Sequence, residues 1–196
     1  MSKTEEYIKL ILDRLSPYRF HHSVCVAEKA RELAIKHGVD PDKGYIAGIL
    51  HDVTKETDYA EQKRLIEQYE TMTDLEINNK KVYHQMSGAA FVQSELGIND
   101  SDIVSGIRYH TTGRENMTLF EMIIYLADFT SADRDYPDVD IMREKTDANL
   151  LDGMLYSLSY TITSIVKQGR QIHPDTINCY NFVTEMILNG YLFGYC

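Results

Sequence analysis

Apolar side chains recur three and four positions apart along almost the whole chain, and no segment alternates apolar and polar residues as a half-buried strand does. This spacing places the apolar residues on one face of an α-helix. Hydrophobic residues make up 43% of the 196 positions, enough for one domain to bury a core without disulfides. The sequence therefore predicts an all-α fold, a single compact helical bundle over residues 1–196.

Capping residues and prolines mark the expected ends of the helices. Ser16 followed by Pro17 opens a helix that ends at Gly38, and the Asp-Pro pair at 40–41 opens another that ends near His51. We expect further helices at about 58–69, 82–96, 101–110 and 119–132, and at about 147–168 and 174–189 after a loop at 131–140. A core of about 17–135 should carry C-terminal helices of about 138–190 packed on it.

Composition excludes several classes of protein. Cys25, Cys179 and Cys196 lie far apart and form no CxxC pair, which argues against a disulfide framework or a thiolate zinc site. The N-terminal segment carries acids, unlike a signal peptide, and no apolar run approaches the roughly 20 residues of a membrane span. A net charge of −10 argues against a nucleic-acid surface. We expect a cytoplasmic protein that binds neither membranes nor nucleic acid.

Residues that commonly bind metals fall at the ends or on the inward faces of the expected helices. His22 shares an apolar stripe with Val26, and His110 ends a stripe that includes Ile107. The remaining members of the set are His51, Asp52, His84 and Asp128. His21 is turned about 100° away from its neighbour and is expected at the rim or the surface.

Each of these residues also has an ordinary structural explanation. A lone inward histidine is usually a buried, hydrogen-bonded core residue, and Asp128 could simply pair with Arg134. A His-Asp dipeptide such as 51–52 is expected by chance about half the time in a chain of this composition. Four helices that all offer such residues are harder to explain by packing alone. Imidazole and carboxylate ligands without thiolates suit an open site for zinc, iron or manganese.

The order His22, His51-Asp52, His84, His110, Asp128 resembles the HD-domain superfamily of metal-dependent phosphohydrolases. More closely, the segments "RFHHSVCVAEKARELA", "AGILHDVTK", "RYHTTGRENMTLFEMIIYLADFTSADR" and "INCYNF" are similar to the YqeK family, bacterial hydrolases of diadenosine tetraphosphate that release two ADP. The resemblance covers about residues 5–185. It implies a helical HD-domain bundle and a dinucleoside polyphosphate as substrate.

The resemblance also assigns a role to each ligand. It implies that His22, His51 and Asp128 hold one divalent metal, that His84 and His110 hold the other, and that Asp52 bridges them. The expected cofactors are two divalent ions, iron first, with manganese, cobalt or zinc as alternatives. Two metals lower the pKa of a shared water, and the hydroxide so formed would attack an inner phosphate.

Basic and loop residues complete the predicted site. Lys55 stands four residues after His51 and is expected to stabilise charge on the phosphate, with Arg134 as a second, bidentate contact. The loop "HTTGRENM" offers Thr111, Gly113 and Arg114 as substrate contacts. An ordinary alternative is that Lys55 is a solvated lysine beyond a helix end, and that the loop merely connects two helices.

One segment departs from the family, and other functions stay open. After "LAD" the family commonly reads Ile-Glu-Pro, where this chain has Thr130, Ser131 and Ala132. The difference leaves the ligands intact and bears on the shape of the nucleotide pocket. Alternatives are a phosphohydrolase of a nucleoside mono- or triphosphate or an NAD-related compound, and a nucleotide- or metal-binding module without turnover. The sequence leaves the oligomeric state open, a homodimer included.

Overall fold

The computed structural model describes residues 2–191, and within them the chain is all α-helical, as predicted. The helices are α1 Lys3–Arg14, α2 Pro17–Lys36, α3 Pro41–Leu50, α4 Tyr59–Ile66, α5 Asp74–Asn78, α6 Tyr83–Ser94, α7 Ser101–Tyr109, α8 Leu119–Thr130, α9 Val139–Ala148, α10 Leu150–Lys167 and α11 Pro174–Leu188. A short 3-10 turn at Lys80–Val82 precedes α6. Cys196 lies outside the described residues.

Local capping explains where the predicted helices begin. The Ser16 hydroxyl accepts a hydrogen bond from the Arg19 amide, and Pro17 occupies the first turn of α2. Asp40 caps α3 in the same way. Thr118 and Glu121 form a capping box at the start of α8. Each cap satisfies amides that have no partner inside the helix, so the sequence fixes these starts locally.

Helix α1 at Lys3–Arg14 was not among the predicted helices, and neither were two others. The segment 131–140 was expected to be a loop, but α9 begins at Val139. This helix is mostly polar and buries only Val139, Met142 and Thr146, so its apolar stripe is too thin to recognise. The second, α5, is a five-residue helix held by its own capping box between Thr73 and Glu76.

Small residues let α2 and α3 cross at short range. A Cβ atom added to Gly48 would lie 2.6 Å from the Ala27 Cα, and one added to Gly44 would lie 3.1 Å from the Ala30 carbonyl oxygen. At position 48, where the neighbour is a backbone atom, only glycine permits this approach. The crossing brings the middle of α2 beside the end of α3, where His51 and Asp52 follow.

Helix α8 lies at the centre of the bundle. Its residues from Phe120 to Ala127 are all buried, and it packs against α2, α3, α7, α9 and α10. The C-terminal helices contribute Leu158 and Val183 to the same apolar cluster as Val26 of α2. The boundary between a core and C-terminal helices at about 135–138 stays a prediction. None of the helices within residues 2–191 is both long enough and apolar enough to cross a bilayer.

Candidate metal centre

Six side chains from five helices and their ends converge inside the bundle. They are His22 of α2, His51 and Asp52 after α3, His84 of α6, His110 after α7 and Asp128 of α8. The five other than Asp128 are at most 3% exposed, and the Asp128 side chain is 16% exposed. The sequence-predicted ligand set is therefore assembled in one place, under the surface of the domain.

One group forms around the Asp128 carboxylate. Its Oδ1 lies 3.0 Å from His22 Nε2 and 3.9 Å from His51 Nε2. The ligand atoms of these three residues all lie within 4.8 Å of one another. The two imidazole rings meet edge to face, with centroids 5.3 Å apart. Such a group has the size and the donor types of a site for one divalent ion.

A second group forms around the Asp52 carboxylate. Its Oδ1 lies 3.4 Å from His84 Nε2 and 3.7 Å from His110 Nε2, and its Oδ2 lies 3.6 Å from His51 Nε2. The Nε2 atoms of His84 and His110 are 3.1 Å apart. Asp52 thus contacts histidines assigned to both metals, which is the position that a bridging carboxylate needs.

Hydrogen bonds to the other ring nitrogen orient three of the imidazoles. His51 Nδ1 donates to the Gly48 carbonyl at 2.7 Å, and His110 Nδ1 donates to the Ile107 carbonyl at 2.7 Å. His22 Nδ1 lies 2.8 Å from Asp133 Oδ2. We infer from these partners that the proton sits on Nδ1, which leaves each Nε2 lone pair directed into the cluster.

The residues present fit a metal ion. His51 Nε2 and Asp52 Oδ1 are buried and make no hydrogen bond, which is costly unless a cation takes up their lone pairs. Burial lowers the pKa of His51 to about 4, so this imidazole is neutral at pH 7. Burial raises the pKa of Asp52, but His51 and Lys55 outweigh it and hold that pKa well below its ordinary value. A neutral His51 beside an ionised Asp52 has the ligand states that divalent ions require.

Residues 19–133 match the family model for the HD domain. This chain belongs to the HD domain family. The symmetrical bis(5'-nucleosyl)-tetraphosphatase of Halalkalibacterium halodurans is 37% identical over 174 residues, 89% of this chain and 93% of that protein. The protein of the same name from Bacillus subtilis is 36% identical over 181 residues, 92% of this chain and 97% of that protein. The resemblance drawn from the sequence motifs is confirmed.

A solved structure supports the fold of this HD domain. It is the crystal structure of a predicted HD superfamily hydrolase involved in NAD metabolism from Clostridium acetobutylicum. Its TM-score is 0.88 at 31% identity, and the match covers 94% of this chain and 98% of that one. The arrangement of helices that carries the six side chains is therefore shared across nearly the whole chain.

Three basic side chains surround the carboxylates of the HD-domain cluster. Lys55 Nζ lies 2.9 Å from His84 Nε2 and 3.6 Å from Asp52 Oδ1. Arg19 Nη1 lies 3.1 Å from Asp52 Oδ2, and Arg134 forms an ion pair with Asp128. These three side chains are between 24% and 29% exposed, so they lie between the buried cluster and the solvent.

Arg19 was missed by sequence reasoning, although a signal was present. It stands three residues before His22 on the same helix, a spacing that puts both on one side. The Arg134 pairing had been considered as a purely structural explanation of Asp128. The structure contains this ion pair together with the two histidine contacts of Asp128, so the pair does not displace the cluster.

The loop after α7 brings one of its three predicted residues to the cluster. The Thr111 hydroxyl lies 3.0 Å from His84 Nε2. Gly113 instead packs against α11, where an added Cβ would lie 2.6 Å from Cys179 Sγ, and Arg114 pairs with buried Glu121 at 3.1 Å. Within residues 2–191, neither of these two makes a contact with the six ligands. Gly113 thus packs tightly and Arg114 is charge-paired, and the expected contacts of both with the substrate stay predictions.

Asp133 is a second residue that sequence reasoning missed. One of its carboxylate oxygens accepts a hydrogen bond from His22 Nδ1 at 2.8 Å. The other accepts a hydrogen bond from the Ser131 hydroxyl at 2.7 Å. No spacing rule could have found it, because His22 and Asp133 are 111 positions apart. His21, by contrast, is exposed on the outer side of α2, as predicted.

Proposed function

We propose that this chain hydrolyses diadenosine tetraphosphate symmetrically and releases two ADP. One water is added across the anhydride between the two inner phosphates, so each product keeps one adenosine and two phosphates. The observation that carries the proposal is the buried cluster of four imidazoles and two carboxylates, in a chain 36–37% identical to two proteins named symmetrical bis(5'-nucleosyl)-tetraphosphatase.

The six clustered side chains would hold two divalent metal ions. We propose His22, His51 and Asp128 for one, His84 and His110 for the other, and Asp52 between them. The donor set admits iron, manganese, cobalt and zinc, and we favour iron on the family resemblance. Bound there, such ions supply positive charge for the phosphoryl oxygens and lower the pKa of water.

The three basic side chains gain a role from the same arrangement. Without metal, Lys55, Arg19 and Arg134 pair with Asp52 and Asp128. Once these carboxylates act as metal ligands, the partly exposed cations are placed to bind the phosphates of the substrate. A protein of net charge −10 can then bind a polyphosphate, because positive charge is concentrated at one site.

Product analysis tests the proposal directly. The protein is incubated with diadenosine tetraphosphate and ferrous, manganese, cobalt or zinc ion, and the products are separated by anion-exchange chromatography. We expect ADP alone, in a 2:1 ratio to substrate consumed. AMP plus ATP would contradict the point of attack. Tight binding without turnover under every metal would favour a binding module instead, and faster turnover of another nucleotide or of an NAD-related compound would change the substrate.

Lys55 can be tested apart from the metal ligands. Replacing it by methionine keeps the length of the side chain and removes its charge, so we expect kcat to fall by about 100-fold with metal content unchanged. Lys43→Met is a matched control, because among residues 2–191 Lys43 pairs with the carboxylates of Asp100 and Asp102, away from the cluster. An unaltered kcat in Lys55→Met would show that Lys55 does not act on the substrate and is simply a solvated lysine beyond the end of α3.

A further inference from the structure

The guanidinium of Arg143 binds the main chain of the loop between α8 and α9. Its Nη2 donates to the carbonyls of Ser131 and Arg134 at 2.8 and 2.9 Å, and its Nε donates to the carbonyl of Thr130 at 3.2 Å. Its Nη1 pairs with Asp140 at 3.0 Å. One planar group therefore holds carbonyls from the end of α8 and the first half of the loop at fixed separations, which a flexible point charge such as lysine cannot do.

The loop held in this way supplies partners to two of the metal-binding residues. Asp133 Oδ2 lies 2.8 Å from His22 Nδ1 and fixes the direction of the other nitrogen of that ring. Arg134 forms the ion pair with Asp128 and also donates to the Asp128 carbonyl at 2.7 Å. The position of the loop thus sets the orientation of His22 and Asp128.

The same loop does not support the other half of the cluster. His110 is oriented by the Ile107 carbonyl, and His84 contacts Lys55 and Thr111, which belong to other parts of the chain. Among residues 2–191, neither Asp133 nor Arg134 contacts His84 or His110. A more mobile loop should therefore disturb the His22–His51–Asp128 group more than the pair His84 and His110.

We propose that Arg143 is a positioning residue for the His22–His51–Asp128 half of the metal centre. It acts through the backbone of residues 130–134, which orients His22 through Asp133 and holds Asp128 through Arg134. Because Arg143 recognises main-chain oxygens, this contact does not depend on the side chains at Thr130–Ala132, where the sequence departs from its family. The inference rests on the proposed metal centre.

Metal stoichiometry tests the role of Arg143. The metal-free protein is titrated with manganese, and bound metal is measured by mass spectrometry after gel filtration. We expect two ions per chain in the wild type. In Arg143→Ala, one ion should bind with wild-type affinity and the other about 10- to 100-fold more weakly, which is the usual effect of losing an outer-shell partner. Arg143→Lys should recover only part of the loss, because an ammonium cannot bind three carbonyls in one plane.

Asp140→Asn is the matched control. It removes the charge of Asp140, whose side chain pairs with Arg143 and is 91% exposed. The hydrogen bonds from Arg143 to the loop carbonyls stay in place, so both ions should bind as in the wild type. Two ions bound with wild-type affinity in Arg143→Ala, or an equal weakening of both, would overturn the inference. Should the alanine variant not fold, Arg143→Lys carries the same test. A wild type that binds no metal would instead contradict the proposed metal centre itself.

Discussion

Replacing Asp52 by asparagine is expected to slow hydrolysis of diadenosine tetraphosphate by on the order of 1000-fold or more, about 4 kcal/mol of activation free energy. The Asp52 carboxylate is 2% exposed and lies within 3.7 Å of three imidazole nitrogens. Asparagine keeps the shape but removes the negative charge, and its amide group would direct N–H bonds at lone pairs intended for metal. The variant should therefore also lose bound metal.

Steady-state kinetics and metal analysis of the purified variant measure both effects. Circular dichroism establishes that the helices are retained. Asp102→Asn is the matched control, since Asp102 is a half-exposed carboxylate that pairs with Lys43 at 3.1 Å away from the cluster. Wild-type turnover with a full complement of metal in Asp52→Asn would rule out a bridging role for this residue.

The second large effect is expected on stability. Gly48→Ala should lower the free energy of unfolding by about 2–3 kcal/mol, because the new methyl group would lie 2.6 Å from the Cα and 2.9 Å from the N of Ala27. Both are backbone atoms, so no side-chain rotation can relieve the overlap. In an unhindered helix the same change would stabilise by about 1 kcal/mol, so the sign of the effect is informative.

Urea denaturation, monitored by circular dichroism, measures the difference in the free energy of unfolding between the wild type and Gly48→Ala. Gly88→Ala is the comparison variant, because its nearest neighbour is a side-chain methyl group of Ile107 at 3.3 Å that can adjust. We expect a change for Gly88→Ala well below that for Gly48→Ala. Greater stability in Gly48→Ala would show that the crossing of α2 and α3 leaves room for a methyl group at this position.

Features that depend on neighbours in sequence were predictable. Caps such as Ser16 and Thr118 are satisfied within three residues, so the helix starts follow from the sequence alone. The inward direction of His22 and His110 follows from helical spacing to apolar residues, and the structure buries both. The small residues Gly44, Ala47 and Gly48 of α3 are themselves a sequence signal that another helix can approach closely, although they do not identify the partner atoms.

Features that depend on distant partners were not predictable. Asp133 acts on His22 across 111 positions, and Arg143 binds carbonyl oxygens, which carry no residue identity that a sequence pattern could show. Helix α9 went unrecognised because its surface position leaves few apolar residues to set a period. The need for glycine at position 113 arises from Cys179, a contact that only the packed fold creates. The expected contact of Gly113 with the substrate stays a prediction.

Anomalous diffraction from crystals grown with manganese would locate the bound ions themselves. We expect two anomalous peaks in the cluster, one bounded by His22, His51 and Asp128 and one by His84 and His110, with Asp52 contacting both. Peaks elsewhere on the protein, or a cluster without any peak at saturating manganese, would contradict the proposed metal centre.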